Sequence, residues 1–149
     1  MRVARRNQHI VPEHRCRFAD AEQTYKVFIS KANGSGAFGE TLSAPIIAEP
    51  GIGHTQTFMS IGKCESEQEA IAITKYVKTK FARAMLGVLK ITQDCPAPKW
   101  KYVPLQDFTA HSDIDWSKSV AEIDRQLYRK YDLTADEIEF IETHVKEMA

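Results

Sequence analysis

Between residues 66 and 91, apolar side chains recur at helical spacing: Ala70, Ile73, Val77, Phe81, Ala84, Leu86 and Val88 share one stripe. A helix with such a stripe must bury it against another layer, so the chain needs a partner surface. Ser66-Glu67-Gln68-Glu69 opens the run as a capping box. The Ser66 hydroxyl is placed to accept from the Glu69 N–H, and the Glu69 carboxylate to reach back. One long helix is expected from there to about residue 91, with Gly87 weakening its last turn.

The partner surface lies upstream. Residues 25–31 (YKVFISK) alternate polar and apolar and are rich in β-formers, so they read as a strand. Residues 44–49 (APIIAE) and 55–61 (TQTFMSI) read as two more. Residues 33–40 (NGSGAFGE) hold three glycines in a short span and form a loop. Three strands joined by short loops predict a small, mostly antiparallel sheet. Downstream, Pro96 and Pro98 interrupt regular structure, and residues 101–105 (KYVPL) read as a short extended piece. Residues 119–130 form a second helix. Thr134-Ala135-Asp136-Glu137 starts a third, with Ile138, Ile141 and Val145 on its buried face. The expected class is α+β: a small sheet, one long helix, then two C-terminal helices. Three parts follow: a basic N-terminal arm (1–23), a sheet-plus-helix core (24–110) and a C-terminal helical segment (111–149).

The 149 residues suit one domain with a real core. No apolar run approaches the roughly 20 residues of a membrane helix, and no apolar stretch follows the basic start MRVARRNQH, as a secretory signal would require. Cys16, Cys64 and Cys95 are odd in number and far apart, which fits reduced thiols in a cytoplasm. Net charge is zero, yet residues 1–90 carry +5 and residues 91–149 carry −5. A phosphate-binding surface is therefore expected in the first part, with the acidic tail turned away.

Catalytic motifs are absent. There is no phosphate-binding loop, no GxGxxG after a strand, no HExxH and no CxxC. NGSGAFG lacks the Lys-Ser/Thr that would hold a nucleotide. No Asp or Glu has Lys two positions on, the pairing common in metal-dependent nucleases. His14 and Cys16 are near enough to share a metal but have no second pair. Asp113 and Asp115 read as a solvated loop. The chain thus reads as a binding domain, with no catalytic, cofactor or metal residues of its own.

Several segments in order carry a resemblance: YKVFISKANGSGAFGE, IIAEPG, TFMSIGKCESEQEA, YVKTKFARAMLGVLKITQD, WKYVPLQDFT, Trp116, and the ending IDRQLYRKYDLTADEIEFIE. Together they resemble the later, target-recognition part of adenine-specific DNA methyltransferases of restriction–modification systems, including fused cutting-and-methylating enzymes. The resemblance covers roughly residues 20–145. Asp132 stands where that family often has glycine, and Asp tolerates the left-handed backbone a helix end needs there. The Asn/Asp-Pro-Pro-Tyr/Phe motif that holds a flipped adenine is missing, as is the glycine loop for S-adenosylmethionine. The resemblance therefore implies a recognition region whose catalytic domain or subunit, with its S-adenosylmethionine, lies outside this chain. It also implies that the chain is a fragment or one part of a split enzyme.

On this reading the partners are double-stranded DNA and the catalytic domain, and a homodimer is possible in isolation. The candidate DNA-binding residues are Lys31, Asn33 and Ser35 at the glycine loop, His54 and Gln56 after a Gly-Ile-Gly turn, and Lys75, Lys78 and Arg83 on the long helix. Asn and Gln amides suit adenine edges, and the basic groups suit phosphates. A mobile hairpin loop, an exposed strand start and a solvated helix face are the plain alternatives for these three groups. Arg2, Arg5, Arg6, Arg15 and Arg17 make the arm basic, for phosphate tracking or simply as a loose end. Trp100, Tyr102, Phe108 and Trp116, with Tyr128, Tyr131 and Phe140, are expected to pack the core. Two further readings share these features: the specificity domain of a type II restriction endonuclease, and a docking module for a methyltransferase subunit.

Overall fold

A computed structural model describes residues 23–148. The arm's five arginines and the His14–Cys16 pair lie outside these residues. The elements run β1 (Tyr25–Ser30), β2 (Ile46–Ala48), β3 (Phe58–Cys64), α1 (Glu67–Lys78), α2 (Lys80–Gly87), a 3-10 turn (Ala97–Trp100), α3 (Val120–Lys130) and α4 (Ala135–His144). This is the α+β class that the patterning implies.

The sheet has order β2-β1-β3, with both pairings antiparallel. Val27 pairs with Ile47 on one side and Ile61 on the other, so the most apolar strand takes the centre. Gly62 sits at a register shift in β3, between the Val27–Ile61 and Tyr25–Cys64 pairs, with φ +82°. A Cβ there would press on Ile73 of α1, so glycine serves both the bulge and the helix packing. Helix α1 lies on β1 and β3, burying Ala70, Ile73, Tyr76 and Val77.

The expected long helix is two helices. Thr79 is extended (φ −60°, ψ 148°) and ends α1 while capping α2. Its hydroxyl accepts from the Ala82 N–H at 3.1 Å and donates to the Tyr76 carbonyl at 2.6 Å. The cause of the break comes from α3. Asp124 is buried there, and its carboxylate accepts from the Lys80 N–H at 3.0 Å and the Phe81 N–H at 2.9 Å. These two groups, orphaned where α2 begins, gain a charged acceptor.

The other helix starts follow their local sequence. Ser119 and Thr134 each form a full capping box. At Ser66 the box is half made: its side chain accepts from Glu69 N–H, but the Glu69 carboxylate takes the N–H of Glu65. Helix α3 ends in a Schellman turn, with Leu133 N–H on the Tyr128 carbonyl and Asp132 N–H on that of Arg129. Asp132 has φ +51°, as its place at the helix end anticipates. Residues 101–105 form a turn rather than an extended piece.

The core joins sheet and helices through Val27, Ile29, Phe81, Leu86, Trp100, Ile123 and Leu127. Tyr76, Phe108 and Trp116 form a ring cluster with centroids 5.1–6.0 Å apart. Tyr131 stacks on Phe81 at 4.9 Å. These aromatics pack the fold as expected, except that Tyr102, Tyr131 and Phe140 are exposed, Tyr131 with one ring face on Phe81.

Candidate functional site

The glycine loop is built around its own anion. Glu40 folds back so that its carboxylate accepts from the backbone N–H groups of Ser35 and Gly36, both at 2.8 Å, and from the Ser35 hydroxyl at 3.1 Å. The buried Lys90 ammonium completes the ring at 2.5 Å. Desolvation works to raise the Glu40 pKa, but Lys90 and the two N–H groups prevail and hold it at about 2. The loop also docks on the far end of the chain. Lys146 N–H donates to the Gly39 carbonyl at 2.8 Å, and a Cβ on Gly39 would meet the His144 carbonyl.

This arrangement corrects two of the DNA candidates. Asn33 is 1% exposed, so it offers no edge to a base. Its carboxamide donates to the Ser30 carbonyl and accepts from the Ser43 N–H at 2.6 Å, closing the loop onto β1. Ser35 is exposed, yet its N–H and hydroxyl serve Glu40. The N–H groups that suit a phosphate are filled from within.

Lys31, His54 and Gln56 meet at one corner of the sheet. Lys31 N–H donates to the Thr57 carbonyl at 2.9 Å, which ties the end of β1 to the turn before β3. Gln56 is exposed, and among the described residues neither its amide nor the Lys31 ammonium has a hydrogen-bond partner. His54 packs its ring edgewise on Phe28 at 4.9 Å and bonds the Thr55 carbonyl through Nδ1, so it supports the turn rather than projecting from it.

Lys75, Lys78 and Arg83 do not form an exposed strip along one helix, because the break at Thr79 turns their helices. They line a cleft of about 700 Å³ instead, with Lys80, Lys118, the start of α3 and the end of the chain. Arg83 is 3% exposed. Its guanidinium donates to the carbonyls of Lys78, Glu40 and Lys146, and burial lowers its pKa. Removing it would break the contact between loop, helix and C-terminal segment, whatever else it does. Lys75 donates to the carbonyls of Trp116, Ser117 and Lys118 at 2.8, 3.3 and 2.9 Å. Asp124 lies in the same cleft; burial pushes its carboxyl up to about 6.

A second surface is apolar. Phe38, Met85, Val88, Tyr131, Leu133 and Phe140 line a groove of about 540 Å³ between α2 and α4. Val88 and Phe140 are about half exposed. Sequence reading placed Phe140 in the core and missed the groove, because helical spacing does not tell a core face from an uncovered one. Cys64 and Cys95 are buried free thiols, their pKa values pushed up by desolvation to about 11. Among the described residues no group of three His, Cys, Asp or Glu side chains is placed to hold a metal, and no helix is long and apolar enough to cross a membrane.

No family model, curated protein or solved structure matches this chain.

Proposed function

We propose that this chain is the DNA-binding target-recognition region of a restriction–modification adenine methyltransferase, acting in the cytoplasm beside a catalytic domain or subunit outside it. That partner binds S-adenosylmethionine, flips the adenine and methylates it. The ordered resemblance through the glycine loop, the α1–α2 region and the C-terminal close supports this reading. The observation that carries the DNA-facing part is the corner tied by the Lys31 N–H to the Thr57 carbonyl, where the Lys31 ammonium and the exposed Gln56 amide have no hydrogen-bond partner among the described residues. A free carboxamide on a turn suits the paired donor and acceptor of an adenine edge. A free ammonium beside it suits the backbone phosphate that sets the register. The specificity domain of a type II restriction endonuclease would use the same corner.

A second reading, a docking module for the catalytic subunit, is favoured by the apolar groove between α2 and α4. The two are separated by titrating the chain with a random-sequence duplex at low and moderate salt. The DNA reading expects affinity that falls steeply with salt, and a slope reduced by about one in Lys31→Ala. Absence of duplex binding at low salt would overturn it in favour of docking.

A further inference from the structure

The cleft at the α1–α2 break treats its cations in two ways. Lys80 pairs with the Glu142 carboxylate at 2.5 Å. Among the described residues neither Lys75 nor Arg83 forms an ion pair with a carboxylate, and Asp124 acts on Arg83 only through its charge: each cation is held by three backbone carbonyls. Carbonyl acceptors fix a cation in place but leave its charge whole. For Arg83 this is costly, because a buried charge is normally paired. Each of its three guanidinium nitrogens donates to one of these carbonyls, so the group is a buried cation held in position on the cleft wall.

The start of α3 lines the same cleft and adds to its field. Helix α3 begins there at Val120 and Ala121, whose N–H groups are first-turn donors beyond the reach of the helix's own carbonyls. The Ser119–Glu122 box satisfies the Ser119 and Glu122 N–H groups but neither of these two. The Lys118 ammonium is exposed and has no hydrogen-bond or ion-pair partner among the described residues, while its charge acts on Asp115 and Glu122. Three carboxyls share the cleft and weigh against an anion. Glu142 is spent on Lys80, and Asp124 on the first N–H groups of α2. Glu147, exposed near the chain end, remains. Positive charge is left over on balance, and Lys75 and Arg83 hold their share of it in fixed positions.

We infer that this cleft is an oxyanion site that seats one phosphate group between Lys75, Arg83 and Lys118 and the N-terminus of α3. Resting on the DNA-recognition reading above, that phosphate is a backbone phosphodiester of the bound duplex; a free phosphate has the same chemistry. The site lies apart from the Lys31–Gln56 corner in sequence and in the elements that build it, so the two make separate demands on an experiment.

The test uses the whole chain and two probes, inorganic phosphate and a random-sequence duplex, with sodium chloride holding ionic strength constant in the phosphate titration. Amide NMR resonances of Val120 and Ala121 are followed in wild type and in Lys118→Glu, whose exposed side chain leaves the fold intact. The site predicts saturable shifts of both resonances with phosphate, about tenfold weaker binding in the variant, and duplex affinity reduced in parallel. Phosphate that leaves both resonances unmoved, or moves wild type and variant alike, overturns the site. Phosphate bound in the cleft with no duplex bound keeps the oxyanion site and sinks the DNA reading. Duplex bound equally by wild type and Lys118→Glu keeps the DNA reading and removes the cleft from it.

Discussion

Two places in this fold gather N–H donors and cations, and they end differently. In the glycine loop, Ser35, Gly36 and Lys90 converge on Glu40, an anion the chain supplies itself. In the cleft, Lys75, Arg83 and the start of α3 share a space with Glu142 and Asp124, whose carboxylates serve Lys80 and the start of α2 instead. The first is a structural joint and the second an open one. Glycine content alone points to the first of the two. A glycine-rich loop marks where backbone N–H groups can gather, while the chain's own nearest carboxylate decides whether they stay available.

Breaking the closed joint should cost most. Glu40→Ala leaves the Lys90 ammonium, 4% exposed, without its counter-charge. A loss of about 3 kcal/mol in urea unfolding is expected. The pH dependence has a definite sign. The Glu40 pKa is lowered from 4.5 to about 2 in the fold, so its stabilising effect is complete above pH 4.5 and is lost as pH falls through about 2. Acid titration of stability should therefore flatten across that window in Glu40→Ala; an unchanged acid limb would mean that the carboxylate is not held as described.

Asp124 tests the other side. Asp124→Ala uncaps Lys80 and Phe81 N–H, and a loss of about 2 kcal/mol at pH 4 is expected from thermal or urea melts. Its pKa is raised from 3.8 to about 6, so its contribution is greatest below pH 3.8 and declines as pH rises through about 6. The gap between wild type and variant should narrow from pH 4 to pH 7, opposite to the trend at Glu40. A gap that widens over that range would reverse the assignment of desolvation as the dominant cause.

The smallest effect is expected at the end of α3. Asp132 holds a left-handed backbone that costs a side chain some energy. Asp132→Gly should raise stability by about 0.5–1 kcal/mol and leave ligand binding unaltered. A destabilised variant would show that the Asp132 side chain does more at the Schellman turn than tolerate it.

How much of this was legible in the sequence depended on the range of the interaction. Ser119 and Thr134 cap their helices through residues three positions on, so short windows reveal them. The alternation of residues 25–31 likewise marked the central strand. The break at Thr79 was hidden because the apolar stripe continues across it, and its cause, Asp124, is more than forty residues away. Asn33 and Arg83 looked like surface recognition groups because polar residues in loops and on helices usually are. Their burial comes from Ser30 and Ser43 in one case, and from Glu40 and the distant Lys146 in the other. The sequence did hold one overlooked signal, the Glu40 carboxylate five residues after Ser35. A short acidic side chain so near a Gly-Ser-Gly turn is placed to fill it.

The most direct measurement is duplex affinity at one low salt concentration for wild type, Ser35→Ala and Lys118→Glu. Wild type and Ser35→Ala should bind alike, because the loop's donors already serve Glu40, while Lys118→Glu should bind clearly more weakly. Weaker binding by Ser35→Ala with Lys118→Glu unchanged would place the phosphate at the glycine loop and contradict the division between a closed and an open joint.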